Sequence, residues 1–206
     1  QSTVVDAAVA LDCMPDTKNM IDWAFQTGIE INDGPAAGGN VIKRLIDDVS
    51  RDGLGNEAAP GYNNSWIGNL RNMADTLAAY PGFEEANLYR YPKYIKMFSG
   101  AFPMILCRRY TPSIGDSGLT AGLGIEVYKI NLIQAFQETG DIRFAQFLYA
   151  LNGNSVAGIQ GDIFTKNPEG IQQDILNIID QYGEYAGFDK SSQMAGYGFT
   201  ALRSGS

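Results

Sequence analysis

NNSWIGNLRNMADTLAAYPG, residues 63–82, decides the fold class. Ile67, Leu70, Met73, Ala74 and Leu77 recur at helical spacing and draw one apolar stripe. Asn63 or Asn64 stands where a helix cap belongs, and Pro81-Gly82 closes the run. The same period recurs on both sides of this segment. Val4, Val5, Ala8, Val9 and Leu11 form a stripe, and Ile21, Ala24 and Phe25 form a shorter one capped by Asp16 or Thr17 after Pro15. Val41, Ile42, Leu45, Ile46 and Val49 predict a helix started by Asn40 and stopped before Gly53.

Further along, Ile95, Phe98, Phe102 and Ile105 predict a fifth helix, bent or ended at Pro103. Residues 110–124 are rich in Gly, Ser, Thr and Pro and read as a loop. Helical signals resume at Val127–Phe136 and Ile142–Leu151, and residues 153–167 are mixed. Pro168 is expected to start the last helix, with Ile171, Ile175, Ile178 and Tyr182 on one face. Charge is sparse on several of these helices, which predicts packing on more than one side. Residues 196–203, GYGFTALR, alternate like a single β-strand. A lone strand lacks a partner, so a β-rich continuation is expected after it. Recurrent helix pairs with Gly- and Pro-rich links fit a helical toroid or solenoid.

Composition narrows the function. The 206 residues suffice for one domain with a sizeable core. At 45% hydrophobic and 18% charged, the chain is not a disordered tail. A net charge of -8, with scattered basic residues, argues against nucleic acid as a partner. No apolar run is long enough to span a membrane, no signal peptide is visible, and the first residue is Gln1 rather than Met. A histidine count of zero removes the Ser-His-Asp triad, the Cys-His dyad and the usual zinc or iron ligand sets. Neither metal nor cofactor is expected. Chemistry within these residues must use carboxylates, tyrosines, lysines, arginines or amides. Cys13 and Cys107 are too few for a disulfide scaffold and are read as buried thiols, with a single bridge as the alternative.

Three segments could carry chemistry. Residues 52–66, DGLGNEAAPGYNNSW, link two helices and would expose Glu57, Tyr62, Asn64 and Trp66 at one end of the array. The plainer reading is a tight connector, with Asn63 as a cap and Trp66 in the core. Residues 110–118, YTPSIGDSG, could bring Asp116 toward a cleft, or form an ordinary loop in which Asp116 caps a turn. The Gly-Asp-Ser-Gly in it matches a serine-protease nucleophile, a reading that fails without histidine. Residues 89–96, YRYPKYIK, suit stacking on sugars that carry carboxylates, although a solvated helix start is the weightier reading.

The order of DGLGNEAAPGYNNSWIGNLRNMADTL (52–77), YTPSIGDSG (110–118) and GYGFTALRSG (196–205) resembles the heparinase II/III-like polysaccharide lyases, a group that includes several alginate lyases. The resemblance covers most of the chain and rests on the ordered co-occurrence of three individually weak motifs. It implies an all-α, incomplete α/α toroid of about seven helices over residues 1–188. Residues 189–206 would be the linker and first strand of a β-sandwich domain. Tyr62 maps onto the catalytic tyrosine, Glu57, Asn63 and Asn64 line the site beside it, and Asp116 maps onto the Gly-Asp loop. Trp66 and Arg71 are further candidates for substrate contact, Arg71 only through its long side chain.

The family also uses an upstream Asn or His and a His from the β domain, which this sequence does not match. The expectation is therefore a toroid fragment of a lyase, inactive alone, that acts on an anionic polysaccharide by β-elimination in the periplasm or outside the cell. Two alternatives stay open. One is an α/α glycoside hydrolase with Glu57 and Asp116 as acid and base, which needs its carboxyls roughly 6.5–9.5 Å apart if inverting. The other is a non-catalytic helical glycan-binding module with Trp66 and the tyrosines as stacking platforms. The net charge opposes an anionic polymer at long range, which leaves room for a weakly charged or uncharged glycan.

Overall fold

The computed structural model describes residues 2–28, 39–57, 59–116, 127–161 and 167–204. Helix dominates them. The α-helices are α1 (Ser2–Leu11), α2 (Asp16–Asp22), α3 (Val41–Asp47), α4 (Pro60–Ala79), α5 (Pro92–Ser99), α6 (Lys129–Thr139), α7 (Ile142–Leu151) and α8 (Gly170–Tyr182). Strands β1 (Ser192–Met194) and β2 (Phe199–Ala201) make an antiparallel pair in which Gln193 faces Thr200.

Consecutive helices pair where short corners force them together. Gly140, at φ 66°, ends α6 in the left-handed conformation that favours glycine, and Asp141 starts α7 by accepting from the Arg143 amide at 2.9 Å. The α1–α2 corner closes on buried Thr17, whose hydroxyl donates to the Ala8 carbonyl and accepts from the Cys13 amide, both at 2.9 Å. Helix α4 packs against α1, α5 and α6, and α7 lies between α6 and α8. Five successive residues of α7, Phe144 to Leu148, are buried, as sparse charge on this helix predicts. Buried Gln146 is satisfied by donating to the Gly183 carbonyl beyond α8 at 2.8 Å.

The main core is aromatic on this side. Phe102 stacks on Phe147 at 3.6 Å between ring centroids, Phe98 meets Phe144 edge-on at 6.3 Å, and Tyr185 and Phe188 cover Phe147. A smaller cluster of Leu54, Met104 and Met194 seats the β-hairpin on the helices.

Several expectations need correction. The strand at residues 196–203 is not unpaired. It is shorter, Phe199–Ala201, and its partner is Ser192–Met194, with the turn between them closed by Gly198 N–H to Met194 C=O at 2.8 Å. The fifth helix stops at Ser99, and Pro103 sits in a separate 3₁₀ turn, Phe102–Met104, because it has no N–H to continue the ladder. Neither Asn63 nor Asn64 caps α4. Pro60 already occupies the first turn and places both amides on its buried face. Pro15, not Asp16 or Thr17, occupies the cap position of α2, and the last helix starts at Gly170, two residues after Pro168. Cys13 and Cys107 are exposed free thiols. Residues 117–124 of the expected loop and 162–166 of the mixed stretch lie outside the described residues.

Candidate active site at the start of the long helix

The α3–α4 connection shapes this end of the molecule. Gly53, at φ 88°, leaves no space for a side chain, since a Cβ there would fall 2.3 Å from the Lys96 carbonyl oxygen. Its neighbour Asp52 holds the hairpin turn by accepting from the backbone amides of Gly196 at 2.6 Å and Tyr197 at 3.0 Å. Arg203 fastens the other end of the hairpin, donating to the carbonyls of Lys190, Pro103 and Ile105 at 2.7–2.9 Å.

Pro60 then opens α4 and puts Tyr62 in its first turn, 48% exposed. The Tyr62 hydroxyl donates to Asp116 Oδ2 at 3.1 Å across 54 residues of sequence. That hydrogen bond, the nearby Asp116 charge, partial burial and the Glu57 charge all raise the pKa of the phenol. The three segments that carry the family resemblance therefore converge: Asp52 meets the hairpin, and Tyr62 meets Asp116.

The remaining candidates divide. Glu57 is exposed and close enough to act on Tyr62. Asn63 is buried, donates to the Glu57 carbonyl at 2.9 Å and lies by the Tyr197 hydroxyl. Burial raises the Tyr197 pKa, and the Asn63 hydrogen bond partly opposes it. Asn64 is buried and accepts from Asn131 of α6 at 3.4 Å. Its own Nδ2 is without an acceptor among the described residues. Trp66 is half-buried in α4 and packs on the main core, so it is a helix residue rather than part of a loop. Arg71 stands nine residues beyond Tyr62, about 14 Å along the helix. It pairs with Asp75 at 3.7 Å, next to Tyr89, whose hydroxyl donates to Asp75 at 2.6 Å.

The aromatic-basic stretch 89–96 turns its last ring, Tyr94, inward. Tyr94 is fully buried and meets Phe98 edge-on at 5.0 Å, and burial drives the hydroxyls of Tyr89 and Tyr94 strongly upward in pKa. Lys93 donates to the Ile46 carbonyl at 2.6 Å, and Arg90 pairs with Glu84 at 3.2 Å.

Two recesses lie at this end of the molecule, one lined by Gly115 beside Asp116 and the other by Glu57. One, about 580 Å³, lies between the α3–α4 connection, Ile114-Gly115 and the hairpin turn. The other, about 410 Å³, lies between α3 and α4, with Trp66 and Glu57 on its wall. Asp48 and Asn56 line both. Sequence reasoning missed Asp48, Asn56 and the roles of Asp52 and Arg203. The Asp-Gly and Leu-Arg-Ser steps were visible, but hydrogen bonds to main-chain groups leave no residue-type signature. No cluster of three or more acidic or cysteine ligands suited to a metal occurs among the described residues. Comparison with protein-family models, with curated proteins and with solved structures finds no match.

Proposed function

We propose that this chain is the helical part of a polysaccharide lyase of the heparinase II/III-like kind, an arc of an α/α toroid that works on uronate-containing glycan in the periplasm or outside the cell. The observation that carries the reading is the Tyr62–Asp116 hydrogen bond at 3.1 Å, which joins two of the three motif segments.

Elimination passes the C5 proton of a uronate to a general base, a role open to the histidine that the resembled family uses, forms the C4=C5 bond and expels the sugar bonded through O4. Tyr62 serves as the general acid that protonates the departing O4. A phenol whose pKa is raised keeps its proton through neutral pH. That state suits donation to a strongly basic leaving oxygen, and it does not suit a resting phenolate base. Asp116 accepts the Tyr62 hydrogen bond at rest, and the hydroxyl turns from Asp116 to the departing O4 when the glycan is bound. The enolate-like charge that develops at the uronate needs hydrogen-bond donors. Asn64 Nδ2, a buried amide donor in the first turns of the same helix, is the candidate among these residues.

The test is the ultraviolet absorbance of unsaturated uronate formed by the complete gene product. Tyr62→Phe should lower the turnover number by roughly 10²–10⁴-fold with little change in folding, since the side chain is half-exposed. Unsaturated product formed at an unchanged rate would overturn the role of Tyr62. A Glu57/Asp116 hydrolase would instead survive the substitution and release saturated sugars.

A further inference from the structure

The 410 Å³ recess between α3 and α4 has a composition that the elimination chemistry does not use. Its floor is apolar: Leu45 from α3, and Trp66 and Leu70 from α4. Its rim is polar and planar, with Asn56, Glu57 and Asn69. A pyranose ring presents the complementary surface, an apolar C–H face bordered by hydroxyls that both donate and accept. The volume lies within the roughly 300–1,000 Å³ range of small-molecule sites.

Charge decides which kind of ring fits. Arg44 is the cation on the wall, and its guanidinium is engaged by Asp48 Oδ2 at 2.9 Å. The other oxygen of Asp48 accepts from Asn56 Nδ2 at 3.3 Å. Arg44 and Asp48 cancel, which leaves Glu57 as the net charge of the wall. Asp47, in the adjoining recess, is paired with Lys43 and adds no net charge. A uronate seated here would meet repulsion, with no free cation among the described residues of the wall to offset it.

We infer that this recess is a subsite for an uncharged sugar ring beside the Tyr62 reaction centre, so that the substrate class is a glycan in which an uncharged residue adjoins the uronate that is cleaved. The inference rests on the lyase reading only for that adjacency, because Glu57 is shared by the recess and by the surroundings of Tyr62. The neutral-ring preference itself belongs to the recess.

The experiment is a binding titration on the 206-residue chain followed by tryptophan emission. The chain has two tryptophans, and Trp23→Phe leaves Trp66 as the reporter. The probes are β-1,4-linked trisaccharides of glucose and of mannose, against the trimannuronate of the same linkage. A neutral trisaccharide should shift Trp66 emission and bind about tenfold more tightly than the trimannuronate at low salt, the effect of one unscreened like charge at close range. The gap should narrow as salt is raised. Glu57→Gln should narrow it at low salt, and exposed Asn69→Ala should weaken the neutral ligand without unfolding the chain. Trimannuronate binding as tightly as either neutral trisaccharide would overturn the inference, as would the absence of any Trp66 response to both neutral probes. These outcomes are separate from the lyase reading. Neutral binding with no unsaturated product from the complete gene product would remove the elimination and keep the subsite, and tight trimannuronate binding with active elimination would do the reverse.

Discussion

The aromatic core behind α7 and the polar end around Tyr62 are built on opposite principles. In the core, Phe147 touches Phe102, Tyr185 and Phe188, so each ring is held by several others. At the polar end, links are few and span long stretches of sequence: one hydrogen bond from Tyr62 to Asp116 and two to Asp52 from the turn at Gly196 and Tyr197. Redundant apolar contacts fix the position of the backbone whatever the pH or salt. Sparse polar contacts set the orientation and proton affinity of a side chain, and they respond to both. The contrast teaches that packing stability and the proton affinity of Tyr62 are set in different regions, so each is open to perturbation on its own.

The hardest test of that separation is Phe147→Ala. Loss of a fully buried ring with three aromatic neighbours should cost about 3–5 kcal/mol in denaturant unfolding. The phenol titration of Tyr62 should stay in place in whatever fraction remains folded. A movement of that titration in the folded protein would show the two regions to be coupled. Asp52→Ala is the intermediate case. It removes one carboxylate acceptor from two main-chain donors and should cost about 1–2 kcal/mol, with faster hydrogen exchange at the Gly196 and Tyr197 amides and no change at those of α7. Protection that is uniform across the chain in this variant would mean that the hairpin is not held locally.

The smallest expected effect is Asp116→Asn. The neutral amide should bring the Tyr62 pKa down toward the ordinary value near 10. It is read as the phenolate absorbance of each protein minus that of its Tyr62→Phe counterpart. The sign follows from linkage. The folded chain binds this proton more tightly than the unfolded one, so the contribution is complete below the unfolded pKa and is lost as pH rises through the folded value. An unchanged titration would mean that Asp116 does not hold the hydroxyl in solution.

Much of the helical frame was legible in the residues. Ile67, Met73, Ala74 and Leu77 are buried as their spacing requires, and Asn40 caps α3 by accepting from the Lys43 amide at 3.1 Å. What resisted reading were places where neighbours overrule a local signal. Pro60 sets the helix start earlier than Asn63, so a residue typical of caps is carried into the interior. Tyr94, between two lysines, has the sequence surroundings of a solvated helix start, yet its one-residue position on α5 turns it fully inward. Ser192-Gln193-Met194 is too short and too polar to announce a strand, and its pairing with Phe199–Ala201 is held by the Arg203 and Asp52 anchors together with the seat of Met194 on Leu54 and Met104. For the site, motif order pointed to both Tyr62 and Asp116, whereas the walls of the neighbouring recesses come from α3 and the hairpin, which only the fold brings near.

The Asp52 anchor also has a timetable. Its partners, Gly196 and Tyr197, stand 144 and 145 residues later in the chain. At about 5–20 residues per second of synthesis, the carboxylate emerges some 7–30 s before the amides it will hold. The helices that surround it can therefore assemble while this acceptor is still served by water. The hairpin arrives as the last stitch, and the recess it borders takes its final shape only then.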